Sequence, residues 1–155
     1  TREHQFYINI FSNNVSDELV ALRQFLPKLL GTYEFNGMSY LILENIVRSY
    51  KYPCIIDIKL GRVTYDCEAT PEKIERQIAK FRPAAEIGFQ LLGWKTYRES
   101  DDMYIYHDKR CARSLGKDEL IYGIAHFFGA PKYDHRPYVR AILKRLIVLE
   151  NILFE

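Results

Sequence analysis

Asp57-Ile58-Lys59 closes an apolar run, Pro53 to Leu60, that stops at Gly61. In a strand, residues two apart share a face. The run therefore sends a carboxylate and an ammonium off one side of a sheet, beside a glycine that lets a ligand approach the backbone closely. Phosphoryl transfer needs such a pair, an acceptor for a hydroxyl and a cation on the phosphate oxygens. The same two residues also suit a structural ion pair at a strand end, a common arrangement that contributes little to stability.

A second group lies about a dozen residues on. Thr70 is a good helix N-cap, Pro71 suits the first turn, and the spacing predicts a helix over residues 70–81. Ile74, Ile78 and Phe81 share the side that packs on a core, while Lys73, Arg76, Gln77 and Lys80 stand at i, i+3, i+4 and i+7. That stripe holds three cations and no acid. Glu75 points elsewhere, and Glu72 is placed to pair with Arg76. Guanidinium and ammonium groups bind phosphate through charge-assisted hydrogen bonds, so an unneutralised stripe suits a small, highly anionic ligand. The alternative is a solvated helix face. A third stretch, Tyr40 to Ile46, is an apolar strand that ends in exposed backbone. It could hydrogen-bond an adenine edge and sandwich the ring, or be a plain hairpin strand.

Other chemistries lack their residues. The chain has no G-x-x-x-x-G-K-[ST] loop, no H-R-D or D-F-G set and no G-x-S-x-G. Its three cysteines, Cys54, Cys67 and Cys111, form no C-x-x-C, so a disulfide framework or a zinc site is not expected and a reducing interior fits best. The histidines, His4, His107, His126 and His135, lack the H-x-x-x-H spacing of a helical metal site and read as surface or core residues. A net charge of +2 argues against a general nucleic-acid coat. No apolar run approaches the ~18 residues that span a membrane, and no signal peptide opens the chain.

The elements that must position these residues belong to an α+β chain. Its 155 residues, 48% hydrophobic and 27% charged, are enough for about one globular domain with its own core. The aromatic content of 14% predicts a core rich in rings. Helices are expected over 2–11 and 16–26, the latter capped by Ser16 and stopped before Pro27. Asn36-Gly37 between two apolar runs predicts a hairpin of 29–35 with 38–43. Cys54-Ile55-Ile56 reads as a strand buried on both faces. Residues 88–98 and 103–107 read as antiparallel strands, and 117–128 and 137–154 as amphipathic helices.

Pro53-Cys54-Ile55-Ile56-Asp57-Ile58-Lys59-Leu60-Gly61 resembles the P-x-x-x-D-x-K-x-G signature of the inositol polyphosphate kinases. Leu26-Pro27 then Gly31-Thr32, Leu43-Glu44-Asn45, Glu72-Lys73-Ile74, Gly88-Phe89, Leu92-Gly93 and Arg113-Ser114-Leu115 follow in that family's order and spacing. The resemblance implies a protein-kinase-like two-lobed fold with ATP between the lobes. Residues 1–45 would be the remainder of the small lobe and the hinge, and 46–155 the large lobe with the inositol-phosphate-binding helix. Glu44 and Ile46 match the hinge whose backbone meets adenine. Asp57 matches the residue that holds the ribose hydroxyls or orients the attacking hydroxyl. Lys59 matches the one that touches the transferred phosphoryl and the acceptor. Lys73, Arg76, Gln77 and Lys80 lie on the substrate helix.

The resemblance further implies ATP and Mg2+ as cofactors, an inositol polyphosphate as acceptor, a monomer that binds no nucleic acid, and an intracellular location in nucleus or cytoplasm. The stretch around Asp57 and the helix resemble the multikinases, whereas Asn45 resembles the hexakisphosphate kinases. Three family features fall outside the sequence: the small-lobe Lys expected before Thr1, and the S-S-L-L and D-F-A segments expected after Glu155, so no metal ligand is assigned. Both ends read as cut within helices. An inositol hexakisphosphate kinase making pyrophosphates and an inositol-phosphate-binding fragment without catalysis are the alternatives.

Overall fold

A computed structural model describes residues 2–81, 83–129 and 134–154. In chain order the elements are α1 (Arg2–Ile10), α2 (Asp17–Leu22, continued by a 3-10 turn to Phe25), β1 (Leu29–Phe35), β2 (Met38–Leu43), β3 (Ile55–Leu60), α3 (Pro71–Lys80), α4 (Ala84–Ile87), β4 (Phe89–Arg98), β5 (Met103–His107), α5 (Lys109–Ser114), α6 (Leu120–Phe127) and α7 (Arg136–Phe154). They form two compact units, Thr1–Lys51 with Arg136–Glu155, and Tyr52–His135.

In the first unit, β1 and β2 make an antiparallel hairpin whose register runs from Leu29 opposite Leu43 to Phe35 opposite Met38. Asn36 (φ 49°) and Gly37 (φ 71°) are both left-handed, the two-residue turn that matches strand twist. Tyr7 and Ile10 of α1 are buried. Arg23 ties α2 to the end of α1, its Nε donating to the Ile10 carbonyl at 2.7 Å and its Nη2 to that of Ser12 at 2.7 Å. Arg145 of α7 lies 5.1 Å from the Phe25 ring centre. Ser16 occupies the N-cap of α2 in extended backbone, but its hydroxyl makes no cap hydrogen bond; it serves the Glu18 carboxylate instead and helps lower that group's pKa.

In the second unit, an antiparallel sheet runs β3-β4-β5. One side carries a core of Phe81, Ala84, Leu91, Trp94, Ala112 and Leu120, against which Ile56, Ile87 and Phe127 pack. Two short helices were not anticipated from periodicity. α4 ends at Gly88, whose φ of 84° suits a helix C-cap. α5 begins at Asp108, whose carboxylate accepts from the backbone N–H of Arg110 at 2.9 Å and of Cys111 at 3.0 Å.

Three expectations give way. β3 is an edge strand, not a doubly covered one: among its residues only Ile56 joins the core side, and Leu60 is 58% exposed. An unbroken apolar run cannot by itself report whether a strand is central or at an edge. Ile78 of α3 is 45% exposed, and the contact of that helix with the core falls on Phe81. The rings are mostly outside: Tyr7, Phe81 and Trp94 are buried, whereas Tyr33, Tyr40, Tyr50, Tyr106 and Tyr138 are exposed. Two small units offer less interior than one domain of the same length, and a tyrosine hydroxyl is satisfied by water.

Candidate functional site

The Asp57/Lys59 pair is fixed by register. Asp57 stands opposite Gly93 of β4, Ile58 opposite Leu91 and Lys59 opposite Gln90. Leu92 is thus an extra residue in β4, a bulge beside Asp57. β3 itself stays regular, so Asp57 and Lys59 leave the same face. Gly93 is required there: its φ is 149°, and a Cβ would meet the His107 carbonyl oxygen at 2.7 Å. Past Leu60 the ladder continues through Gly61, whose N–H donates to the Gly88 carbonyl at 2.8 Å.

Both side chains are exposed. Lys59 makes no ion pair with Asp57; its Nζ donates to the Thr64 carbonyl at 2.8 Å, closing the turn after the strand. The structural ion pair considered from sequence is therefore not formed. The ammonium rests on a neutral acceptor and the carboxylate is left open.

The helix α3 is built as its sequence predicts at its start, with Thr70 in extended backbone accepting from the Lys73 N–H at 3.4 Å and Pro71 in the first turn. Glu72 is held below its usual pKa by its own backbone N–H and then by the Thr70 hydroxyl, so its carboxylate is engaged at the cap and forms no ion pair with Arg76. Lys73, Arg76 and Lys80 are exposed, and Gln77 is half-buried with its carbonyl oxygen accepting from Lys80 Nζ at 3.0 Å. Among the described residues no carboxylate neutralises the stripe. The stripe and the Asp57/Lys59 pair belong to the same unit.

Glu44 and Ile46 belong to the first unit. The Glu44 N–H donates to the Lys28 carbonyl at 2.9 Å, and its side chain accepts from the Lys28 N–H at 3.3 Å, which anchors the segment to the start of β1. Asn45 turns the chain, its side-chain oxygen accepting from the Val47 N–H at 3.2 Å. Ile46 is 64% exposed. Neither the Glu44 carbonyl nor the Ile46 N–H has a hydrogen-bond partner among the described residues. An acceptor and a donor two residues apart are what an adenine edge needs.

Two features had no clear signal in the sequence. Gln90, cross-strand from Lys59, is buried. Trp94 stacks on His107 with ring centres 4.3 Å apart, His126 meets His107 edge-on at 5.0 Å, and Cys111 Sγ lies 3.5 Å from His107 Nδ1. Burial, and then His126, holds the His107 pKa below its usual value. Only the strand pairing and the short helix α5 bring these residues together, and neither is visible as spacing.

Comparison with known proteins joins these observations. The inositol polyphosphate kinase family model matches residues 40–155, which include the β3 pair, the α3 stripe and the Glu44–Ile46 segment. The chain belongs to that family. The rat inositol polyphosphate multikinase is 36% identical over 131 residues, 82% of this chain and 33% of its own length. The human inositol hexakisphosphate kinase 2 is 28% identical over 120 residues, 76% of this chain and 28% of its own. The structure of the inositol phosphate multikinase Ipk2 from S. cerevisiae, in complex with ADP and Mn2+, superposes with a TM-score of 0.81 at 28% identity, covering 99% of this chain and 65% of that one. The fold is therefore α+β of the inositol polyphosphate kinase type. The chain spans about a third of the length of the curated relatives it matches.

Among the described residues no group of three or more His, Cys, Asp or Glu could hold a metal ion. No described helix is long and apolar enough to cross a membrane.

Proposed function

We propose that the protein carrying this chain is an ATP-dependent kinase that transfers the γ-phosphate to a hydroxyl of an inositol polyphosphate. The observation that carries this reading is the β3 pair. Asp57 and Lys59 share an exposed face without pairing with each other, and among the described residues the ammonium is tethered only by the Thr64 carbonyl at 2.8 Å. A lysine held so lightly can turn its N–H donors to phosphoryl oxygens, where both partners are charged and the bonds are stronger. Asp57 is the open carboxylate for the ribose hydroxyls or for orienting the attacking hydroxyl. The Glu44 carbonyl and Ile46 N–H, unpartnered among the described residues, suit adenine, and Ile46 adds an exposed apolar side chain beside them.

The stripe of Lys73, Arg76, Gln77 and Lys80 is the acceptor site in this reading. A helix face with no carboxylate partner favours a ligand bearing several phosphates. The multikinase type is preferred over the hexakisphosphate type because identity is 36% to the rat multikinase and 28% to the human hexakisphosphate kinase. ATP with Mg2+ is the donor proposed, in line with the ADP and Mn2+ in the yeast neighbour, and the metal's ligands are not assigned to the described residues. The lobe division at residues 45/46, a monomeric state, no nucleic-acid partner and an intracellular location, in nucleus or cytoplasm, complete the proposal.

The test is transfer from γ-labelled ATP by the full-length protein to a panel running from inositol trisphosphate to hexakisphosphate. Label on the tris- and tetrakisphosphates supports a multikinase. Label on the hexakisphosphate alone, as a pyrophosphate, selects the other type. A folded protein that binds inositol phosphates and labels none is a binding module, and the kinase reading then fails.

A further inference from the structure

Lys59 is exposed and stands two residues from Asp57 on one face of β3. A flexible ammonium so placed is drawn to the nearby carboxylate, and that contact would neutralise the pair before any ligand arrived. The structure holds it elsewhere, with Nζ donating to the Thr64 carbonyl at 2.8 Å. That acceptor lies in the turn after the strand, so the lysine is only as well placed as the turn. The start of the turn is fixed in two ways. Gly61, with φ 107°, lies in the left-handed region that favours glycine, and its N–H donates to the Gly88 carbonyl at 2.8 Å. Arg62 then reaches across to α4, its Nη1 donating to the Ala85 carbonyl at 2.8 Å and to the Glu86 carbonyl at 3.1 Å. Those carbonyls belong to the end of α4, where the helix itself supplies no partner. The Glu86 carboxylate is engaged by Lys117, so Arg62 is spent on backbone and forms no ion pair among the described residues.

We propose that Arg62 is a positioning residue for Lys59, a role that rests on the kinase function proposed above. Val63, between Arg62 and Thr64, is 60% exposed, so packing does not hold this stretch. Arg62 ties it to α4, and α4 is seated on the core through Ala84. With the clamp in place, the Thr64 carbonyl takes the ammonium in place of Asp57. Because that acceptor is neutral, the ammonium leaves it readily for phosphoryl oxygens, where both partners are charged. Without the clamp the turn loosens, the acceptor drifts, and Lys59 is released to its own rotamers and to the Asp57 carboxylate. An arginine that served only to cap a helix would fix α4 and leave Lys59 indifferent. In this role Arg62 acts through the turn and Lys59, and touches neither ATP nor acceptor.

The test is a double-mutant cycle in the full-length protein. Wild type, Arg62→Ala, Lys59→Ala and the double variant are compared for kcat, both KM values and the thermal midpoint, with transfer followed from γ-labelled ATP. Arg62→Ala is expected to lose about tenfold in kcat, the size of one hydrogen bond to a charged group. Its KM for ATP should stay within about twofold, the signature of an interaction made during transfer rather than binding. In the Lys59→Ala background the same substitution should cost less than about twofold, because the residue through which it acts is gone. A merely structural role gives the same fold-loss in both backgrounds, and that result overturns the proposal, as does an Arg62→Ala enzyme with unchanged kcat. Should Arg62→Ala not fold, Arg62→Met, which keeps the stem without the donors, is carried through the same cycle. If neither folds, Arg62 is a structural residue and the role is overturned. All these results leave the kinase function standing. A wild-type protein that transfers no phosphate overturns the function, and this role with it.

Discussion

The two faces of the β3-β4-β5 sheet are made from the same strands and are held to opposite standards. One face gives Ile56, Leu91 and Trp94 to the core, with Leu91 fully buried and helices packed on it. The other gives Asp57, Lys59 and Gln90, with a carboxylate left open, an ammonium on a carbonyl and an amide without a partner. The first face is closed by packing; the second is open at Asp57 and Lys59 and covered at Gln90. A sheet with period-2 alternation can separate stability from chemistry in this way, because a substitution on one face leaves the other's contacts in place. The bulge at Leu92 and Gly93 sits where the two demands meet, beside Asp57.

The largest expected effects come from one substitution on each face. Trp94→Ala should cost about 3–5 kcal/mol of stability, as large aromatic truncations in cores do, and it would be seen as a lowered denaturant midpoint. Lys59→Ala should leave that midpoint nearly unchanged and lower kcat by about 10²–10³-fold, the usual loss when one donor to developing charge is removed. If Lys59→Ala instead unfolds the protein, or turns over at the wild-type rate while folded, the division of labour between the faces does not hold.

Gly93→Ala probes the seam between them. The φ of 149° and the 2.7 Å approach to the His107 carbonyl leave no room for a methyl group. The expected loss is about 1–3 kcal/mol, the scale of a residue forced into a sparsely populated backbone region. Because the displaced backbone is the partner of Asp57, kcat should fall as well. A loss of stability without any change in turnover would detach the bulge from the site.

A smaller effect is expected on α3. Lys73→Ala, Arg76→Ala and Lys80→Ala should each raise the KM for the inositol phosphate several-fold, up to about tenfold for one charged contact, and leave the KM for ATP unchanged. Charge reversal at Glu75, off the stripe, is the control and should do little. Added salt should weaken acceptor binding, since screening acts over ~10 Å at 0.1 M. If all three variants keep wild-type acceptor kinetics, the stripe is a solvated face.

How much of this was legible beforehand follows from range. The hairpin at Asn36-Gly37, the cap at Thr70 and the i, i+3, i+4, i+7 stripe are local patterns, and each appears in the structure as the spacing implies. The pairing of Asp57 with Gly93 and of Lys59 with Gln90 joins residues more than thirty positions apart. No local period encodes that register. The edge position of β3 was hidden for the same reason, since an apolar run looks alike at the centre and at the rim of a sheet. Gln90 carries no signal in the sequence, and only the ladder shows that it stands opposite Lys59. α5 was within reach: Asp108 before Lys109-Arg110-Cys111 is an N-cap signal, masked by the shortness of the helix.

The smallest effect concerns the core face and pH. His107 lies against Trp94, with His126 edge-on at 5.0 Å and Cys111 Sγ at 3.5 Å, and its Nε2 is buried without a partner. Burial first, and the neighbouring imidazole second, depress its pKa from the ordinary 6.5. Asp108, the next residue in the chain, is itself held below its usual pKa, chiefly by the Cys111 N–H, and its carboxylate is engaged in the α5 cap. A base whose pKa is lower folded than unfolded is neutral in the folded state, and the unfolded chain takes up the proton first on acidification. The stability tied to His107 is therefore fully present above about pH 6.5 and is lost as pH falls below that value toward the depressed folded pKa. Thermal midpoints measured from pH 8 to pH 5 should decline below pH 6.5, and His107→Phe, which keeps a ring against Trp94, should decline less. Lys59 and Asp57, on the other face, should not alter that slope when replaced. Equal slopes for wild type and His107→Phe would mean that the imidazole's burial carries no proton linkage, and that acid sensitivity of the unit, if any, arises on the exposed face after all.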